Sequence, residues 1–348
     1  MPFSTIDSPK KYFDTKLYTG TGATNSVGGL SFKPDLTWIK TRNSGADWHR
    51  LIDAVRGVTK ELYSNATNAE STQAQSLQTF NTDGFTLGTL AEVNANGNTF
   101  VSWNFLGANT TASNTNGTIS STVSANTTSG FSIVSYTGTG SVGTVGHGLG
   151  VAPKMIIVKN RDQGTGGWNW KVYHASLGNT QDISLNRTDA ATTTTGFWNN
   201  TSPTSTVFTI GTDGVVNTNT NKFIAYCFAE IKGFSKVFSY TGNGSTDGTY
   251  IHLGFRPAWV MVKASSTTGQ WAICDNRRGT ANKANGEFLF AESSEALNAA
   301  VNNWDFLSNG LKARANYAAH NTSGVTYIGI AFAENPFVSS KGIPACAV

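Results

Sequence analysis

Charge is scarce in this chain. Asp, Glu, Lys and Arg make up 13% of its 348 residues, about half the usual quarter. There are eight prolines and three cysteines. Cys227, Cys274 and Cys346 are odd in number and share no C-x-x-C spacing, which argues against a disulfide scaffold or a structural zinc site. Basic residues are scattered. The nearest cluster, Lys10 and Lys11 with Lys16, is too small to grip a phosphate backbone, so nucleic acid is not an expected partner. The start, MPFSTIDSPKK, lacks the apolar core of a signal peptide. No run approaches the roughly 18 apolar residues of a membrane span, so membrane insertion is not expected. These features fit assembly in a reducing cytoplasm.

Glycine, aromatics, Thr, Asn and Ser are plentiful. The chain has 37 Gly, 20 Phe, 10 Tyr and 9 Trp. That many aromatics exclude a disordered chain, and the low share of helix formers argues for β structure.

An internal repeat organises the sequence. Tyr18-Thr-Gly-Thr-Gly22, Tyr136-Thr-Gly-Thr-Gly140 and Tyr240-Thr-Gly-Asn-Gly244 open three segments. Each is followed by a matching apolar run ending at Lys40, Lys159 or Lys263, with Pro34, Pro153 and Pro257 at one position. Trp48, Trp168 and Trp271 come next and read as one shared core slot. Segments ending at Gly57, Gly178 and Gly279 follow, then strand candidates around Leu62, Ile183 and Leu289. TFVSWNF, KFIAYCF and TYIGIAF close the copies at Phe105, Phe228 and Phe332. Within TFVSWNF both alternating faces carry apolar groups, as in a strand between two layers.

The expected fold is therefore all-β: three tandem, related, jelly-roll-like β-sandwich domains with little helix. Residues 18–106, 131–230 and 231–335 are the predicted sandwiches. Residues 107–130, rich in Asn, Thr and Ser, read as a polar linker, either flexible or an extended arm. Residues 1–17 form an N-terminal arm for attachment and 336–348 a tail. The short join between copies two and three predicts that these pack together, leaving copy one free to reorient. Helix is expected over 293–302 and, more weakly, over 68–75.

The sequence offers little chemistry. None of the five histidines lies in a nucleophile elbow or a metal-binding helix motif. Asp53, His174 and Asp275 share one repeat position, which reads as a structural hydrogen-bonding site, with metal binding or catalysis as the alternative. Glu230 and Glu334 end equivalent strands in different copies and do not make the carboxylate pair of a glycosidase. Y-T-G-x-G lacks the Gly-Lys-Ser/Thr ending of a phosphate loop. No catalytic residue, metal or cofactor is expected. Trp170 and Trp198, beside Asn169 and Asn199, lack aligned partners in the other copies. They are the candidates for contact with a glycan or a neighbouring subunit, or else core.

FSTIDSPKKYFDTKLYTGTG, FKPDLTWIK, DAVRG, TDGFTLG, HGLGVAPKMIIVKNR, FIAYCFAE and YIGIAFAENPF together resemble virion proteins of marine tailed phages, especially cyanophages. The likeness covers most of residues 3–337 and departs in copy three, where NGLKA replaces DGFTLG. The family implied is a repeated β-domain of unassigned function found in virion structural proteins, including fibre-like ones. The resemblance implies a place in the virion, other virion proteins as partners and a homo-oligomer, a trimer for choice. A tail-fibre or spike-like appendage touching host-surface glycan is the first role implied. A capsid decoration or cement protein is the second, and a polysaccharide depolymerase the third.

Overall fold

The computed structural model describes residues 4–164, 166–279, 286–301 and 304–344. It is almost all β. The helical turns among these residues are Pro9–Lys11, Ala91–Asn94 and Gly214–Asn217.

One strand order recurs in three sheets. An opening strand pairs with the closing strand, which pairs with a second strand, which pairs with a third. In the first sheet these are Phe13–Thr19, Thr99–Phe105, Leu36–Thr41 and Arg50–Asp53. In the second they are Phe131–Thr137, Lys222–Phe228, Met155–Asn160 and Lys171–His174. The third has Ser235–Thr241, Thr326–Pro336, Phe255–Ala264 and Trp271–Asp275. The register also repeats: Phe105 faces Phe13 and Leu36, while Phe228 faces Phe131 and Met155. Each large sheet is backed by a smaller one, giving a sandwich.

The period of two divides every closing strand between two cores. Val101, Trp103 and Phe105 point into a core that also receives Ile224, Tyr226, Phe228, Ile328, Ile330 and Phe332. Phe100, and on the equivalent strand Phe223, Ala225 and Cys227, point the other way, each into its own copy's sandwich. The second strands divide likewise, with Leu36, Met155 and Trp259 entering the common core. One ring from each copy meets at its centre. The centroids of Phe105, Phe228 and Phe332 lie 5.9, 5.3 and 6.0 Å apart. A void of about 20 Å³ among these residues has an entirely apolar lining.

The Y-T-G-x-G element is explained by what it abuts. A Cβ on Gly20, Gly138 or Gly242 would lie 2.1–2.3 Å from the carbonyl oxygen of Ala95, Thr218 or Thr322. Gly22, Gly140 and Gly244 have φ of +68°, +74° and +69°, the left-handed region that suits glycine. The tyrosines stack on Phe100, Phe223 and Tyr327 at 5.1 Å. Their hydroxyls donate to the carbonyls of Val93, Val216 and His320. Pro34 and Pro153 are buried just before their second strands, and Pro257 is buried within its own, at a register irregularity where a missing N–H is tolerated.

Several sequence expectations are corrected. Residues 107–130 are no loose linker, because Ala112–Asn114 and Ser121–Asn126 are strands that extend the second sheet. The expected arm is folded from residue 4 onward: Ile6 and Phe13 are buried in the common core, and the opening strand starts at Phe13. Copy one is not free, since its side chains are part of that core. The tail is tied back where Ser340 N–H donates to Asp7 Oδ1 at 2.7 Å; residues 345–348 lie outside the described residues. No helix occurs over 293–301. Asn298–Val301 pairs with Gly286–Phe290 instead, a sheet partner overriding local propensity. Residue 302 lies outside the described residues. Over 68–75, Ser71–Thr72 pairs with Lys60–Glu61.

Because the copies share one core, Phe332→Ala should destabilise all of them together, by about 3–5 kcal/mol. Calorimetry should show one transition moving to lower temperature. A split into separate transitions would contradict the shared core.

Candidate functional site

The densest polar constellation lies at the seams between copies, where the common core needs hydrogen bonds that no copy supplies alone. Two rings of contacts run cyclically. In the first, Trp170 Nε1 of copy two donates to the Tyr63 carbonyl of copy one at 2.8 Å. Trp271 Nε1 of copy three donates to the Ser184 carbonyl of copy two at 3.0 Å. His49 holds the same position in copy one and faces the Phe290 carbonyl of copy three without a hydrogen bond to it, while its Nδ1 accepts from Trp38 Nε1 at 2.9 Å. Burial and nearby Lys40 push its pKa well below 6.5.

The second ring joins the closing strands to Asp53, His174 and Asp275. Trp103 Nε1 donates to Asp275 Oδ2 at 2.9 Å, and the Tyr226 hydroxyl donates to Asp53 Oδ2 at 2.8 Å. Ile330 stands at the third equivalent position and has no donor. There the receiving residue is His174, whose Nε2 lies 3.2 Å from the Gly329 carbonyl. The Ser176 N–H donates to His174 Nδ1, as Val55 and Arg277 donate to the two aspartates. This assigns the donor proton to Nε2. Burial holds the imidazole neutral, with its pKa lowered to about 4.

A fourth position changes in step. Arg56 and Arg278 form fully buried ion pairs with Asp53 and Asp275, at 2.5 and 2.6 Å. Their equivalent beside His174 is Leu177. Thus two seams use an aromatic donor, a carboxylate and a guanidinium, and the third uses Ile, a neutral imidazole and Leu. The alternation of Asp, His and Asp follows from what faces each residue. All three make hydrogen bonds that join neighbouring copies.

Other titratable groups are likewise committed. Lys40, Lys159 and Lys263 are buried at one repeat position, where their ammonium groups donate to loop carbonyls, including those of Thr41, Asn160 and Ala264 at 2.7–2.9 Å. Burial lowers their pKa values to about 8, 7 and 8. Glu292 Oε2 accepts the Trp271 N–H, as the amide oxygens of Asn65 and Asn186 accept the N–H of His49 and Trp170. Burial raises Glu292 to about 7, so below that pH it sits in an amide's place as a neutral acid. Among the described residues no three His, Cys, Asp or Glu side chains converge as a metal site requires. No helix among them is long and apolar enough to cross a membrane. Cys227 and Cys274 are buried free thiols; Cys346 lies outside the described residues.

The predicted contact residues fall elsewhere than expected. Trp170 is fully buried and, with Trp271, fills the seam slot, so the slot's true alignment is His49, Trp170 and Trp271. Trp168 is half-buried, its ring 3.6 Å from where a Cβ on Gly214 would lie, and Trp48 is 38% exposed. Trp198 is buried in the second sandwich core, edge-on to Tyr173 at 5.7 Å. Neither Trp170 nor Trp198 can stack on a glycan in this fold. Asn169 accepts a bond from Asn186, and Asn199 is an exposed turn residue with φ +48°.

Sequence reading missed three asparagines. Asn94, Asn217 and Asn321 are buried, and each Oδ1 accepts the N–H of the residue between the motif's two glycines, at 2.8–3.1 Å. Each Nδ2 donates to two further carbonyls, which for Asn217 are Ser141 and Gly211. Their constant place, five residues before the closing strands begin at Thr99, Lys222 and Thr326, is the signal that could have found them.

The family of these repeats is set by one comparison. A domain of unknown function, DUF7483, matches residues 8–336. The chain belongs to the DUF7483 family. Comparison with curated proteins finds no match. The match spans all three copies and the segment 107–130 that joins the second sheet, so the DUF7483 domain of this chain is the whole cyclic assembly.

Two outcomes test these assignments in the DUF7483 domain. Asp275→Ala strands a buried guanidinium and should cost about 3–5 kcal/mol. Adding Trp103→Ile and Arg278→Leu with His at position 275 should recover much of that loss, measured by denaturant melts. Glu292 has a raised pKa in the folded state, so its contribution is present below pH 4.5 and lost as pH rises through about 7. Glu292→Gln should remove that decline and make the domain more stable above pH 7, by about 1 kcal/mol or more. Parallel pH–stability curves for the two proteins would contradict the assignment.

Proposed function

We propose that the chain is a non-enzymatic structural subunit of a tailed-phage virion, first as part of a tail-fibre or spike-like appendage. The observation that carries the non-enzymatic reading is the commitment of the buried titratable groups at the seams to bonds that hold the copies together. The sequence resemblance to virion proteins of marine phages supports the virion setting. Sparse charge suits such a setting, because at about 1 M salt ion pairs are screened beyond roughly 3 Å. Host-glycan contact, if this subunit makes it, falls to exposed loop residues such as Trp48 rather than to Trp170 or Trp198.

A second reading, a capsid decoration subunit, is favoured by one feature of the fold. Residues 107–130 are built into a sheet, so the chain is a block with no extended tandem reach. A polysaccharide depolymerase is the third reading, and no observation of the fold favours it. Quantitative mass spectrometry of purified particles separates the first two. Tens of copies per particle are expected of an appendage, hundreds would establish decoration, and absence from particles would defeat both.

A further inference from the structure

The three opening strands are equivalent, yet among the described residues only that of the second copy has a strand on its outer edge. On Phe131–Thr137 that edge pairs antiparallel with Ser121–Asn126, Ser124 facing Ile133 and Val123 facing Val134. The covering segment also fills the gap between this edge and the small sheet. Ile119 N–H donates to the Thr144 carbonyl at 2.9 Å, and Ser121 Oγ donates to the Gly146 carbonyl at 2.7 Å. Its side chains lie against Gly143, Gly146 and Gly148.

In the other two copies the same place is open. Among the described residues no strand pairs with the outer edge of Phe13–Thr19 or of Ser235–Thr241. A groove of about 340 Å³ runs beside the first, along Asp14, Lys16, Leu17, Gly29 and Arg277. A groove of about 440 Å³ runs beside the third, where Lys236 faces His252, Leu253 and Gly254. The N–H groups aimed outward on these edges alternate along the strand. Those of Thr15 and Val237, equivalent to Ile133, are held by the carboxylates of Asp14 and Glu230, at 3.0 and 2.9 Å. A bare strand edge is a template for pairing, and these carboxylates stand on it as replaceable acceptors.

We propose that both open edges are strand-addition sites for an extended segment of a partner protein, added antiparallel in the register of Ser121–Asn126. The chain's own segment indicates the occupant's chemistry: small Ser, Thr, Ala and Val side chains, because glycine-lined walls leave little room. Each groove also presents a lysine: Lys16 lines the first beside the Asp14–Arg277 ion pair, and Lys236 lines the third, where its ammonium donates to the His252 carbonyl at 3.1 Å. A partner strand with a carboxylate at one of its small positions fits them. By register, the residue at the place of Val123 would stand across from Lys16, and that at the place of Ala125 across from Lys236. Main-chain bonds supply the attachment and side-chain fit the selectivity, as in other cases of β-augmentation. The proposal concerns assembly by main-chain pairing and does not depend on which particle the chain serves.

The probe is a labelled peptide of residues 118–127 carrying Ala125→Asp, titrated against the full chain by fluorescence anisotropy. Saturable binding is expected, weakened at least several-fold by Lys236→Glu and further by raised salt. Ser239 is exposed with its N–H aimed outward, a position where an edge strand tolerates proline, so Ser239→Pro should remove that site while the fold is kept. Leu17→Pro tests the other edge in the same way, using the Val123→Asp peptide and Lys16→Glu. Binding that is absent, or equal for wild type and the charge-reversal and proline variants, would overturn the proposal. Full-length chain that self-associates through these edges and excludes the peptide would overturn it too, replacing the partner with a second copy.

Discussion

The structure depends on one constraint: the common core leaves polar atoms at its seams that only the neighbouring copy can satisfy. Burying Trp103, Tyr226, Trp170 and Trp271 brings a large hydrophobic gain, but their N–H and O–H groups go into the interior with them. Each finds its acceptor across a seam, on Asp275, Asp53, the Tyr63 carbonyl and the Ser184 carbonyl. Apolar packing around Phe105, Phe228 and Phe332 draws the copies together without fixing their orientation. The directional bonds do that. The result is one cooperative body in place of three beads on a string.

The same logic accounts for how far the copies have diverged. Residues at the Asp, His and Asp position change in a set with the groups that face them. Where Ile330 replaces an aromatic donor, a buried carboxylate would have no donor to meet, and His174 with Leu177 takes the place of the Asp–Arg pair. Glu292 can replace asparagine because burial keeps it protonated below about pH 7. The seam environment accounts for which side chains stand at these positions.

Much of the fold was legible in the sequence. The turn glycines of Y-T-G-x-G, the prolines near the start of the second strands and the two-faced closing strands each carry a local physical reason that a sequence displays. The Asp, His and Asp position does make hydrogen bonds, as its repeat placement suggested, but which groups it meets could be seen only with the residues of the other copies. What could not be read was long-range. Trp170 looked unpartnered because Trp168 was set against Trp271 in the alignment, and a two-residue slip in a Gly-rich loop hides a seam slot. Residues 107–130 looked like a linker because Ser and Thr strands that cover an edge need few large apolar residues. The stretch 293–301 has helical composition, and only its pairing with Gly286–Phe290 makes Asn298–Val301 a strand. Asn94, Asn217 and Asn321 escaped notice because Asn is abundant everywhere in the chain.

The cyclic interlock is tested most directly by hydrogen exchange at the indole N–H groups of Trp103, Trp170 and Trp271, followed by NMR under native conditions. Each reports a different seam. If the copies form one body, all three exchange only through global opening, with the same free energy as unfolding measured by denaturant. A lower opening free energy at one or two of them would show that a copy detaches on its own, and would contradict the account.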